Sequence, residues 1–369
     1  MAIELKDLYQ GYRDPKKLLY LQELIVKESE GLADINIMEV CGGHTHAIMK
    51  YGLPQLLPQN IHFVHGPGCP VCVMPKLRVD EAIALAKMPD TIVVTLGDMI
   101  KVLGSELTLQ DARAQGADVR FVYSPLEVLT IAQENSDKKV VFIAIGFETT
   151  TPMSASLFAK TMQLGIQNLF FHINHVLVPP AMRVILATKN SIDAFIGPSH
   201  VSVISGSKIY DEFAINFERP VVVSGFEPVD VMESVLMIIK QLKQKQSKVE
   251  IQYSRCVSYD GNEKAQKMVE KYFEPVEFEF RGLGVVPNAG MGLKKEYATY
   301  DARLSFGEFL PTKAKDEDKN CLCAQILSAR ALPSDCKLFG KVCTPANPVG
   351  SCMVSSEGAC AAYFKYGIR

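Results

Sequence analysis

The chain has 369 residues, 48% of them apolar and 22% charged, and a formal net charge of -2. That length exceeds what one hydrophobic core usually serves and predicts two or three domains, while the near-neutral charge argues against nucleic acid or an anionic membrane as a partner. No apolar run approaches the ~18 residues of a membrane span, and the opening MAIELKDLYQGYRD lacks the apolar centre of a secretory signal, so the protein is expected in the cytoplasm.

Along the chain, short apolar runs alternate with helical patterns, as in parallel α/β units. In the first half the expected strands are Ile37–Val40, His62–Val64, Thr91–Leu96 and Val119–Tyr123, with a helix over Pro75–Met88. The second half repeats the plan with strands Val140–Ile145, Leu169–Ile173, Ala194–Ile196 and Val221–Val223. Helices are expected there over Ser154–Leu164, Pro180–Thr188 and Val229–Lys245. The fold class is therefore α/β, with two similar doubly wound parallel-sheet lobes over 34–138 and 139–248 that divide near Gln133–Lys139. After about Lys248 a strand Ile251–Val257, a helix Glu263–Phe273, the glycine-rich GLGVVPNAGMGL and the charged KAKDEDKN lead into a cysteine-rich end. Residues 249–369, together with 1–33, make the third, mixed domain, and its last fifty residues, with few periodic elements of their own, are expected to order around a metal.

Ten cysteines in a reducing compartment point to metal binding or redox work rather than a disulfide framework. Cys41 lies in IMEVCGGHTHAIMKYG, after a strand and before a helical pattern, where open α/β sheets bind ligands. Gly42 and Gly43 permit close backbone approach, and His44, Thr45 and His46 set polar groups beside the thiol. An imidazolium or a helix N-terminus there would favour the thiolate. The alternative is a small buried cysteine in a glycine turn with two satisfied histidines.

Cys69 and Cys72 form the CPVC of HGPGCPVCVMPK after the second strand, a pair able to close a disulfide or hold a metal. If the first two strands are parallel neighbours, these thiols and Cys41 emerge at one sheet edge. Cys323, Cys336, Cys343 and Cys360 are separated by twelve, six and sixteen residues, with turn-forming stretches between them. Four thiolates suit zinc or a 4Fe-4S cluster equally. Cys321 can replace Cys323, Cys352 can pack beside the site, and Cys256 reads as a buried strand residue.

Four motifs together resemble the HypD family: CGGHTH at Cys41–His46, GPGCPVC at Gly66–Cys72, GFETT at Gly146–Thr150 and the ending LFGKVCTPANPVGSCMVSSEGACAAYFKYG. The resemblance spans nearly the whole chain and implies two related α/β lobes plus an iron–sulfur domain. It implies a 4Fe-4S cluster on Cys323, Cys336, Cys343 and Cys360, and a Cys41 thiolate holding the iron of an Fe(CN)2CO group beside a HypC-type chaperone. Cys69 and Cys72 match the family's redox pair, and His44 and Glu357 match positions of functional weight. On this resemblance the protein is a maturation factor for NiFe hydrogenases. It would act as a scaffold with thiol and iron–sulfur redox activity, receiving cyanide from a HypE-type donor, with no nucleic acid or membrane as partner. Asp98, Glu148, His172, His175 and His200 fall at strand ends and are expected either to line a second cleft that docks the donor or to serve as structural polar groups. Rival readings are an iron–sulfur disulfide reductase using CPVC and a non-catalytic scaffold holding zinc. No GxxxxGK[ST] run supports nucleotide hydrolysis.

Overall fold

The computed structural model describes residues 10–187, 192–316 and 319–367. In chain order the strands are β1 (Ile35–Glu39), β2 (Ile61–His65), β3 (Thr91–Leu96), β4 (Asp118–Val122), β5 (Lys139–Gly146) and β6 (Leu169–Val176). They continue with β7 (Ala194–Pro198), β8 (Val221–Ser224), β9 (Val249–Ile251), β10 (Phe273–Phe280) and β11 (Gly284–Leu293). The helices that bear on the site are α1 (Pro15–Ser29), α2 (Gly42–Lys50), α3 (Pro70–Val73), α4 (Lys76–Ala86), α5 (Thr151–Leu164) and α6 (Val178–Ala187). Later come α7 (Pro228–Lys243), α8 (Glu263–Tyr272), α9 (Cys323–Leu327), α10 (Ser351–Val354) and α11 (Ala359–Tyr366). No described helix is long and apolar enough to cross a membrane.

The expected α/β fold with mainly parallel sheets is present, and the eight strands expected in the two halves occur at their predicted places to within a few residues. Their distribution differs from the expected halves. One sheet runs β2-β1-β7-β8-β9, all parallel, and the other runs β10-β11-β6-β5-β3-β4. The chain leaves the first sheet after β2, builds β3 to β6 in the second, and returns at β7, so Met38 pairs with Phe195. Strand patterns record which face is apolar but not which strand lies alongside, because any sufficiently long crossover can join parallel neighbours. Helix α1 packs its Leu21 and Ile25 with Val235 and Ile239 of α7, so α1 covers the first sheet.

The glycine-rich stretch is an antiparallel partner strand, not a loop. β10 and β11 pair with each other, and Gly290 and Met291 of β11 pair with Val176 and His175 of β6. The strand expected over 251–257 ends at Ile251, and Cys256 is exposed in a turn, not buried in a core.

Each central strand is apolar on both faces because both are covered. Val140, Phe142 and Ala144 of β5 face one cluster with α5, while Val141, Ile143 and Ile145 join a second. Ile196 of β7 and Val222 of β8 face α1 and α7, while Phe195, Val221 and Val223 join that same second cluster. This inner cluster therefore takes one face from each sheet, and Cys323, Cys343, Cys352 and Cys360 belong to it.

A buried charge fastens the segment after β11 to the second sheet. Glu81 of α4 accepts hydrogen bonds from His172 Nε2 (2.8 Å) and from Nε and Nη2 of Arg303 (3.0 Å each). Burial pushes the Glu81 carboxyl up, but the His172 bond and then nearby cations outweigh it and hold the group below its usual range. Glu81→Gln is expected to lower stability by about 2–3 kcal/mol, read as a lower urea midpoint. Because the folded-state value is depressed, the Glu81 contribution is complete above the ordinary 4.5 and lost as pH falls through the folded value, so the variant should show a flatter acid limb.

Candidate functional site

In parallel sheets, ligands collect at the carboxyl ends where strand order reverses. The first sheet reverses between β1 and β7, and the second between β3 and β5. Cys41 follows β1, Ser199 and His200 follow β7, Asp98 follows β3 and Glu148 follows β5. Cys41 and Glu148 both act electrostatically on the buried Tyr210, and Asp98 acts on Glu357, so the two reversal points open toward one another.

Cys41 is the N-terminal cap of α2, and its backbone is fixed on three sides. A Cβ on Gly68 would collide with the Cys41 main chain, and one on Gly42 would collide with the main chain of Glu357. Only glycine allows these approaches. The Gly42 amide donates to Gly68 O (3.1 Å), which holds the CPVC loop beside Cys41. From the strand side, the fully buried Glu39 accepts from the Cys41 amide (3.0 Å), from Thr45 Oγ1 and from His65 Nδ1 (2.6 Å). His65 Nε2 in turn pairs with the Tyr363 hydroxyl of α11 (3.1 Å). Glu39, His65 and Tyr363 did not emerge from the sequence as site residues. The only available signal was a carboxylate inside an apolar strand, which must find donors when buried.

The electrostatics reverse one expectation. Burial, followed by the nearby Glu357 carboxylate, pushes the Cys41 thiol up to about 12, against hydrogen bonds from the Gly43 and His44 amides. The cysteine is therefore a thiol in the free protein. His44 supplies no imidazolium, since burial draws it down to about 4. Its Nε2 donates toward Ser224 O (3.2 Å) and Gly225 O (3.0 Å), which leaves Nδ1 as a buried lone pair without a partner. The His44 ring stacks on Phe226, whose other neighbour is His200 (centroids 4.4 and 4.3 Å away). His46 turns to Tyr366 of α11 instead (3.2 Å).

Cys69 and Cys72 are joined as a disulfide at the start of α3, with Cα atoms 5.2 Å apart. Ser351 connects this pair to the C-terminal thiols. Its Oγ donates to Cys72 O (3.1 Å) and lies 3.7 Å from Cys323 Sγ. Cys323 Sγ is 2.6 Å from Cys352 Sγ, and the bond from Cys352 holds the Cys323 thiol below its ordinary value. Cys352 also bonds Cys360, while Cys321 lies within electrostatic reach of Cys323, Cys336 and Cys360. Cys343 Sγ accepts from the Val349 amide (3.3 Å). Thus Cys352, expected beside the site, lies between two of the expected ligands. Among the described residues no three His, Cys, Asp or Glu side chains are posed to hold a metal ion.

Of the other polar groups at strand ends, His172 and His175 are structural. His172 donates to Glu81, and its Nδ1 accepts from Asn174 Nδ2 (2.9 Å). His175 is buried, pulled down to about 4, and bridges Gly146 O (3.3 Å) and Ser154 Oγ (2.8 Å). Because a carboxylate opposes Cys41 ionisation, Glu357→Gln should lower the thiol pKa. Alkylation of Cys41 by iodoacetamide at pH 8, followed by peptide mass, should speed up by about two- to tenfold. An unchanged rate would remove Glu357 from the site's electrostatics.

The family model described as "HypD: Hydrogenase formation hypA family" matches residues 17–367. The chain is 47% identical over 364 residues to the hydrogenase maturation factor HypD of Azotobacter vinelandii, covering 96% of each chain. It is likewise 47% identical over 364 residues to the hydrogenase expression/formation protein HupD of Azotobacter chroococcum, again covering 96% of each. With the hydrogenase maturation factor HypD of Escherichia coli it shares 43% identity over 362 residues and 96% of each chain. A match of this extent shows that the chain belongs to the HypD family of hydrogenase maturation factors.

Proposed function

We propose that the cleft at Cys41 is where iron is held while cyanide and carbon monoxide are added to it, and that the remaining thiols supply reducing equivalents. The carrying observation is the placement of Cys41 at a sheet reversal point, tied to the CPVC loop on one side and Glu357 on the other. A soft sulfur donor suits low-spin iron bearing cyanide and carbon monoxide. Burial keeps Cys41 protonated, and the carboxylates beside it favour a cation in place of that proton, so loading iron would exchange a proton for a dication. A HypC-type chaperone would complete the iron's ligands, and a HypE-type donor would bring cyanide as a thiocyanate.

Releasing that cyanide takes two electrons. The reduced Cys69/Cys72 dithiol can provide them: its two S–H bonds and the donor's S–CN bond break, the Cys69–Cys72 disulfide forms, and the donor thiol and hydrogen cyanide each carry away one hydrogen. His44, neutral with its Nε2–H committed to carbonyls, cannot donate to a nitrile nitrogen through that atom. Its Nδ1 lone pair, buried and without a partner, is a weak base that can accept a hydrogen bond from hydrogen cyanide but not take its proton.

The C-terminal donor set is chemically suited to a cluster, being composed of soft thiols of which four are buried in one core. Cys323, Cys336, Cys343 and Cys360 would hold a 4Fe-4S cluster, which supplies one-electron chemistry when bound. Ser351, in contact with both Cys72 and Cys323, keeps the disulfide and these thiols in one packed unit.

Cys41→Ala is expected to abolish iron retention in the complex with the small chaperone while leaving the brown cluster absorbance of the anaerobic protein intact. Wild-type iron content in that variant would defeat the ligand role. Cys69→Ser should bind the partner yet fail to complete cyanide transfer, followed by infrared spectroscopy of the complex. Zinc alone in the anaerobic protein would instead favour the scaffold reading.

A further inference from the structure

Glu148 follows β5 at the second reversal point and lines a cavity of about 150 Å3, on the order of five water volumes. The cavity is walled by Leu177 after β6, Ile204 from the first sheet's side, Val269 of α8 and Met291 of β11, so its body is apolar. Glu148 is 9% exposed. Its Oε1 accepts from the Val178 amide (2.9 Å), while its Oε2 is buried and has no hydrogen-bond partner. A buried carboxylate oxygen without a donor is costly, and it marks a place where a donor belongs.

The other polar groups of the cavity share this bias. Thr151 commits its hydroxyl hydrogen to Phe147 O (3.2 Å), so it has only lone pairs to offer. Gln266 spends its amide hydrogens on Ile204 O (2.8 Å) and Asp260 O (2.7 Å), which leaves its oxygen. Glu270 stands exposed at the rim with a second carboxylate. Among the lining side chains only Ser205 keeps an uncommitted hydroxyl. Burial alone pushes Glu148 up to about 7, with only backbone amides opposing it, as expected of a carboxyl that lacks a cation.

Apolar walls, acceptors throughout and a buried unpaired carboxylate describe a receptor for a donor-only cation on an apolar stem. We propose that this cavity binds the basic side chain of a partner polypeptide, its methylenes against Leu177, Val269 and Met291 and its charged head on Glu148, with Glu270 guiding entry. An arginine fits best, since its guanidinium is weakly hydrated and offers several donors in one plane. The proposal is independent of the iron reading at Cys41, because it concerns a different reversal point and is tested without metal.

Calorimetric titration of the full chain with n-butylguanidinium and with a blocked Ala-Arg-Ala tripeptide tests it. Both are expected to bind saturably with one site, and the uncharged pentanamide is expected to give no heat. Glu148→Gln, which keeps the shape and loses the charge, should weaken both ligands by about tenfold or more. Val269→Phe, which fills the cavity from a half-buried helix position, should abolish binding with the circular dichroism unchanged. Absence of saturable binding to the wild type, or equal affinity in Glu148→Gln, would overturn the proposal. Binding of n-butylguanidinium with exclusion of the tripeptide would overturn its assignment to a partner's side chain.

Discussion

The carboxylate of Glu39 has no contact with solvent and is satisfied entirely by protein donors: the Cys41 amide, the Thr45 hydroxyl and the His65 ring. Those donors come from the turn after β1, from α2 and from the end of β2, and His65 adds α11 through Tyr363. A buried charge is tolerated only while every partner stays in place, so the network fixes Cys41 in one geometry. It also ties that geometry to the helix carrying Cys360. Any reorganisation of the C-terminal thiols is therefore mechanically linked to the thiol at the sheet edge.

Around this anchor the cleft is arranged with more negative than positive charge. Glu357 raises the Cys41 pKa, and Asp98 acts on Glu357 in turn. The histidine beside the thiol is neutral, and no Lys or Arg figures among the groups that shift Cys41. Such a thiol is a poor nucleophile when free and a good ligand once a dication arrives.

Much of this was legible in the sequence, for physical reasons. Apolar runs such as Val140–Ile145 announce strands buried on both faces, and a glycine pair after such a run announces a turn at a carboxyl edge, which located Cys41 and the CPVC loop. What escaped was partnership. Nothing in Ile37–Val40 says that it lies beside Ala194–Ile196, since parallel pairing is set by tertiary packing. β11 was hidden by its own glycines, which suit a strand only because β10 and β6 flank it. In the free protein the Cys41 thiolate is disfavoured, because helix amides favouring its ionisation are outweighed by burial and a carboxylate brought from residue 357. Likewise Glu39 and Tyr363 are ordinary in sequence and become partners only through His65.

The interleaving of the two sheets also shapes how the chain acquires its structure. Strands β3 to β6 are contiguous in sequence and can assemble as soon as they leave the ribosome, whereas β1 must wait for β7. Until then the apolar inner faces of β1 and β2 lack their neighbour, and a parallel strand edge stays open while residues 40–193 are made. The segment bearing Cys41 thus keeps an open edge until β7 is made, a delay set by the order of the strands in the chain.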